Sequence, residues 1–272
     1  VYDTENEVSH FYGPTTIVSD ENFIYCENGW YNSMNDIAQF NENAYFTNKE
    51  QKLSGDSLYY ERRTGFGKAF NNITVLDTVQ NITLKGDYAE YQEKEGKTMI
   101  TKKAVLIQDM DGDSLFLHAD TLRAIFDSLK NGKTLFAYNR AKFYKTDLQG
   151  LADSIVYSFQ DSLISMFTAP ILWTNNDQLT ADTIFIRLRN NQISKMFLNT
   201  SSFIVSEEDT IRYNQVKGRN LIGYFSDNEL RRIDVHGNGE TLYYVKDDQQ
   251  KMIGVNIARA DDLLIFVVKD DV

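Results

Sequence analysis

The chain has 272 residues, of which 42% are hydrophobic, so it can build a substantial core without disulfide or metal staples. Its single cysteine, Cys26, excludes an intrachain disulfide and a cysteine-based zinc site. The 39 acidic residues outnumber the 28 Lys and Arg, and the net charge of −11 argues against a nucleic-acid partner, whose phosphates would be repelled. The longest apolar run, 263–268, is far shorter than the roughly 20 residues that cross a bilayer.

The composition favours strands over helices. Tyr and Phe number 16 and 17, β-branched residues are frequent, and there are only two prolines. Polar turn sequences such as Glu95-Gly96-Lys97 and Gly237-Asn238-Gly239 separate the apolar stretches. We therefore predict an all-β chain of short antiparallel strands.

A block of the form Leu-x-Gly/Ala-Asp-x-apolar-x-aromatic recurs along the chain. Its anchor aspartates are Asp56, Asp87, Asp120, Asp153 and Asp182, which lie 29 to 33 residues apart. Weaker copies are expected near Glu27, Arg219 and Asn256. Stacked repeats bury together an apolar side that one repeat cannot bury alone. The sequence thus predicts one elongated β-repeat domain over residues 1–272, built from about seven or eight units of roughly 30 residues each.

Each unit also has a second apolar stretch after a turn, for example 73–76 and 104–107. One segment, 121–130, has apolar residues at helical spacing. Its position in the repeat aligns it with strands elsewhere, so a strand is predicted there.

The residues that follow each anchor Asp at even spacing share one face of a strand, because strand side chains alternate. This face is apolar in every copy and is predicted to point inward. The anchor Asp itself is predicted to cap a corner turn and to have no chemical role. The residues alone leave two interpretations of the interior open, a closed dry core or a groove that accepts acyl chains.

The repeat resembles the OstA-like proteins of lipopolysaccharide transport, which include a periplasmic bridge protein and the periplasmic domain of the outer-membrane translocon. The likeness covers residues 20–260, and Val235-His-Gly237-Asn238-Gly239 is similar to the family's glycine-asparagine strand start. Three copies depart from this motif, with Lys103, Arg140 and Ala169 in place of the usual glycine.

The resemblance implies a β-jellyroll opened along one side, with lipid acyl chains between its sheets. It implies a periplasmic protein of outer-membrane assembly in a Gram-negative bacterium, with its export signal removed. The expected partners are lipopolysaccharide or a related lipid, and other OstA-like domains paired end to end by their strands; nucleic acid is not expected. The expected lipid-binding residues are Leu58, Tyr60, Tyr91, Leu122, Phe126, Ile155, Tyr157, Ile184, Ile186, Leu221 and Phe225.

No enzymatic activity, cofactor or metal is predicted. His10, His118 and His236 lie in unrelated contexts, and nothing provides Cys26 with a histidine partner. The acidic turn 109–113 lacks the glycine position and the bidentate Glu of a calcium loop. A carboxylate pair of the glycosidase type is the enzymatic rival, but such enzymes concentrate unusual residues in one or two repeats, whereas here every repeat is alike. The alternative function is a structural or protein-binding β-solenoid with a closed core.

Overall fold

The computed structural model describes residues 1–20, 22–110, 113–127, 132–174, 177–190, 192–226 and 229–267. These residues form nineteen strands and one 3-10 turn, Glu93–Glu95, and no α-helix occurs among them. The prediction of a repeat-built, all-β fold of antiparallel strands is confirmed. No helix in the described ranges is long and apolar enough to cross a membrane.

The chain divides into two compact units, Val1–Lys145 and Thr146–Val272. In unit 1 each strand pairs antiparallel with the next along the chain, from β1 to β10. Its strands are β1 (Tyr2–Asp3), β2 (Val8–Val18), β3 (Phe23–Asn32), β4 (Ile37–Thr47), β5 (Gln51–Glu61), β6 (Phe66–Asp77), β7 (Ile82–Gln92), β8 (Lys97–Met110), β9 (Asp113–Asp127) and β10 (Gly132–Lys145). The single domain predicted over residues 1–272 stays a prediction.

Unit 2 begins with an interrupted stretch of sheet. Strand β11 pairs with both β12 and β13, which continue through β15 and β14 respectively to β16. Beyond β16 the strands again pair in chain order to β19. The strands are β11 (Leu148–Ser158), β12 (Leu163–Phe167), β13 (Ile171–Trp173), β14 (Asp177–Thr180), β15 (Thr183–Arg189), β16 (Gln192–Asp209), β17 (Arg212–Ser226), β18 (Glu229–Lys246) and β19 (Met252–Phe266).

Most of the long strands are interrupted near their middle by a shift in register, which we call the corner. The register breaks between Ser54 and Ser57 in the β5–β6 pair, and between Phe70 and Ile73 in the β6–β7 pair. The anchor Asp56 lies inside this break, as the repeat predicts. Each long strand therefore consists of two short segments, one on each side of the corner. In unit 1 we call the half that contains the Leu-x-Gly/Ala segments arm A, and the half that contains the residues after each anchor Asp arm B. Bulges of this kind bend and twist a strand, so the sheet folds at its corners.

The bend depends on paired residues with positive φ. Asn71 and Asn72 have φ of 52° and 50°, and Lys102 and Lys103 both have φ of 60°. Similar pairs stand at 42–43, 139–140, 168–169, 200–201 and 237–238. The glycine-asparagine sequence, expected at a strand start, therefore lies inside β18 at its corner, because antiparallel pairing continues on both sides of the bulge. The positions aligned with this motif by sequence, including Lys103, Arg140 and Ala169, all adopt the left-handed conformation.

Small residues line the corner on its inner side. Ala44, Ala104, Ala119 and Ala141 are at most 1% exposed. At the neighbouring position Gly86 a Cβ atom would stand 2.6 Å from Ile100 Cγ1. At Gly86 the repeat position is therefore small because Ile100 on the next strand leaves no space for a Cβ atom.

The segment with helical spacing is strand β9 through Asp127, which confirms the prediction made from its repeat position. Residues 128–130 of that segment lie outside the described ranges, as do the turn residues 111–112 of the acidic loop.

Candidate functional site

The anchor aspartates hold the corners together. Both carboxylate oxygens of Asp56 accept hydrogen bonds from Asn72 Nδ2 at 3.1 Å. Asp87 pairs with Lys103 at 2.9 Å, and this hydrogen bond lowers the pKa of Asp87. In these cases the partner is the second residue of the left-handed pair on the following strand. The anchor Asp is therefore structural, as predicted.

Asp120 repeats this arrangement with Arg140 at 2.7 Å. In unit 2 the partners change. Asp182 uses its backbone N–H, which donates to the carbonyls of Asn199 and Thr200. The same place in the repeat is thus connected by side chains in unit 1 and by the backbone here.

The inner face of unit 1 is buried next to the corner. Leu58 and Leu122, the second residues after their anchor aspartates, are 6% and 2% exposed. Opposite them across the strand pairs stand Ala69 and Ile100, which are also buried. These side chains form the core between the two arms.

Further from the corner the same face becomes accessible. Tyr60 and Tyr91 are 37% and 46% exposed, and Phe126 is 53% exposed. All three lie next to the turns that end arm B. Burial raises the pKa of Tyr91 and Tyr60, as expected for a phenol whose ring is packed against protein while part of it remains open.

In unit 2 most of the predicted binding residues are buried in the core. Ile155, Ile184, Ile186 and Leu221 are at most 5% exposed. Tyr157 is half-buried, and its ring lies 4.1 Å from that of Phe159 between centroids. Phe225 is half-buried as well. Whether any of the predicted residues contacts a lipid remains a prediction.

One contact in unit 1 reaches from arm B to arm A. Lys133 Nζ on β10 donates a 3.0 Å hydrogen bond to Gln80 Oε1 in the β6–β7 turn. Burial lowers the pKa of Lys133, and the nearby carboxylate of Asp77 opposes this shift. The free ends of the two arms therefore approach each other at this point.

The residues that could have carried chemistry are separated. His10 stacks on Tyr12, whereas His236 Nδ1 lies 3.8 Å from Asp262 Oδ1. Cys26 is 1% exposed, and burial raises the pKa of its thiol, so little thiolate forms at neutral pH. Among the described residues no three His, Cys, Asp or Glu side chains group as a metal site would require.

Sequence reasoning missed the outer face of arm B in unit 1. Tyr59 and Tyr88 point away from the core, and their hydroxyls donate to Glu61 and Glu90 two residues on. The spacing Tyr-x-Glu at 59–61 and 88–90 was the available signal, because residues two apart share a strand face.

The fold defines a repeat-built class of β protein, in which antiparallel strands bend beside a row of small residues. No family model and no curated protein matches the chain. Among solved structures it is similar to the crystal structure of LptH, the LptA-homologous periplasmic component of the lipopolysaccharide transport device of Pseudomonas aeruginosa. The identity is 14% and the TM-score 0.23, over 58% of this chain and 79% of that one.

Proposed function

We propose that this chain is a non-catalytic lipid carrier that holds the acyl chains of lipopolysaccharide, or of a related lipid, on the inner face between its arms. The observation that carries the proposal is the change in exposure along the inner face. Near the corner Leu122 is 2% exposed, whereas at the hairpin end of the same strand Phe126 is 53% exposed. A monomeric core would bury such aromatic residues, so accessible ones on a concave apolar face favour a ligand of apolar chemistry.

The binding energy would come from the transfer of acyl chains out of water. Each methylene buried contributes about 0.8 kcal/mol, so partial burial of one chain is enough for reversible binding. Tyr60 and Tyr91 suit this role because each offers a large apolar ring with a polar end that can stay in water. Reversible binding of this kind needs no cofactor.

The periplasm of a Gram-negative bacterium is the proposed location, since a carrier between two membranes has to work there. The proposed protein partners are other domains of the same type, joined by strand pairing. Strand β19 supports this, since within the described residues it pairs only with β18. It also exposes Ile257, Leu264 and Phe266, and a long apolar edge strand is a template for another strand.

A second function has an observation of its own. In unit 2 the inner residues Ile184, Ile186 and Leu221 are at most 1% exposed. A core packed this closely favours a scaffold that binds protein through its edges. Under this alternative the exposed aromatic residues of unit 1 are only the margin of a closed core.

Photo-crosslinking in cells distinguishes the lipid carrier from the scaffold. A photoreactive amino acid at Tyr91 faces inward, and one at Glu90 on the same strand faces outward, so the pair differs only in face. Tyr157 and Val156 form the equivalent pair in unit 2. A lipid carrier should yield lipopolysaccharide adducts from the inward positions alone. Equal adducts from both members of a pair, or none from either, would exclude the carrier and leave the scaffold.

A further inference from the structure

The outer face of arm B in unit 1 has a shallow depression that the proposed lipid function does not use. Six side chains from three strands line it, and they alternate with the core residues Ala38, Phe40, Leu58 and Ala69, which point the other way. The lining residues are Gln39, Tyr59, Glu61, Phe66, Lys68 and Phe70. The depression is therefore open to solvent on the side opposite the core.

Its polar groups are held in place by hydrogen bonds to neighbouring side chains. Tyr59 Oη donates a 2.7 Å hydrogen bond to Glu61 Oε1, and this bond raises the pKa of the phenol. Gln39 Nε2 donates to Asn41 Oδ1 at 3.2 Å and to Ser57 Oγ at 3.3 Å. The carboxylate and the carboxamide thus have fixed orientations before any ligand arrives, which lowers the entropy lost on binding.

The apolar groups form two platforms beside them. Phe66 lies under the ammonium group of Lys68, whose Nζ is 5.1 Å from the ring centroid. Phe70 packs edge-on against Tyr88 with centroids 5.5 Å apart. Within the described part of the chain Lys68 forms no ion pair, so its charge is available to a ligand.

We infer that this depression is a saccharide-binding site. A sugar ring has C–H faces that pack on aromatic rings, and hydroxyls around its edge that both donate and accept hydrogen bonds. The depression supplies rings from Tyr59, Phe66 and Phe70, acceptors from Glu61, and donors from Lys68. A purely apolar ligand would displace water from the charged groups of Glu61 and Lys68 and offer no hydrogen bond in return. A compact anion would make no use of the three rings.

The inference does not depend on the proposed lipid function, because it concerns the opposite face of the sheet. It can be tested by saturation-transfer NMR on the 272-residue chain. Two probes are used: maltoheptaose, which is neutral, and the oligosaccharide that complete deacylation releases from lipopolysaccharide, which is anionic and has no acyl chains. Binding of at least one probe is expected, and binding of neither would overturn the inference.

Variants then locate the site. Phe66→Ala and Tyr59→Ala should each lower the affinity for the probe roughly fivefold, because each removes one ring on which the sugar packs. Tyr144→Ala removes an exposed aromatic residue of arm A and should leave affinity unchanged. Lys68→Met keeps an apolar stem but removes the charge, so it should lower the affinity for the anionic probe only. Thermal unfolding of each variant identifies any that fails to fold. Equal affinities for Phe66→Ala, Tyr59→Ala and Tyr144→Ala would show that the depression is not the site.

Discussion

Leu122 and Phe126 lie on the same face of β9, four residues apart, yet they are in opposite environments. The first is 2% exposed beside the corner, and the second is 53% exposed at the hairpin end. Both are apolar, and the repeat places both on the inner side. The comparison shows that one face has two environments: its corner end is packed in the core, and its hairpin end is open to solvent.

The largest expected effect is at the corner end. Leu122→Ala should lower the free energy of unfolding by about 2 to 5 kcal/mol, because it leaves a cavity in a packed core. Phe126→Ala should cost less than about 1 kcal/mol, since its ring is already in water for half its surface. Urea denaturation of both variants measures the difference. Similar losses for the two would mean that the inner face is uniformly structural.

The next effect concerns the space at the corner. Gly86→Ala should destabilise the chain by about 1 to 3 kcal/mol, because the new Cβ would stand 2.6 Å from Ile100 Cγ1. Gly254→Ala is the matched control, since nothing lies within 4 Å of a Cβ there. Thermal unfolding should show a lower midpoint for the first variant only. Tolerance of both would show that small residues are not required at the corner.

A smaller change, this time a gain in stability, is expected when the backbone strain at the corner is relieved. Lys102 has φ of 60°, which costs a side chain energy but costs glycine none. Lys102→Gly should therefore stabilise the chain by about 0.5 to 1 kcal/mol. Lys85→Gly, at an exposed and extended strand position, should destabilise it instead. If chemical denaturation showed that both substitutions stabilise the chain, or that both destabilise it, this account of the bend would be wrong.

The smallest effect is the pH dependence of the Asp87–Lys103 pair. The hydrogen bond from Lys103 lowers the pKa of Asp87 in the folded state, so the pair contributes stability above the unfolded-state pKa of about 4. That contribution is lost as the pH falls through the folded-state pKa. Asp87→Asn should therefore unfold at a slightly lower temperature than the natural chain at pH 7, and this difference should shrink as the pH falls below about 4. A difference that did not shrink on acidification would show that the carboxylate charge is not the cause.

The sequence predicted the corner better than it predicted the faces. The spacing of Asp56, Asp87 and Asp120 placed the bends correctly, because a bend needs a local hydrogen-bonding partner that recurs with it. The alternation rule holds only within one arm: Gly55 and Leu58 are both buried although they are three positions apart, an odd spacing. The bulge at Asp56 shifts the alternation by one, which no periodicity count across the corner could reveal.

The outer aromatic face escaped prediction for a related reason. Tyr59 and Tyr60 are adjacent and equally apolar, but they point to opposite sides of β5. Composition alone assigns both to the core. Alternation with the buried Leu58 places Tyr59 on the outward side, where its hydroxyl donates to Glu61, whereas the hydroxyl of Tyr60 donates to Glu93. Likewise, the break between β12 and β13 at Thr168, Ala169 and Pro170 depends on backbone angles that intrinsic propensities do not favour. Propensity rules describe average residues, and these residues are held by tertiary contacts.

The chain-order pairing of unit 1 has a consequence for how the protein folds. From β1 to β10 every strand finds its hydrogen-bonding partner in the strand next to it along the chain. Contacts that are close in sequence have a small loop-closure cost, so such topologies fold faster than sheets assembled from distant segments. Any hairpin of unit 1 can therefore act as a nucleus, and the strands on either side can add to it one at a time.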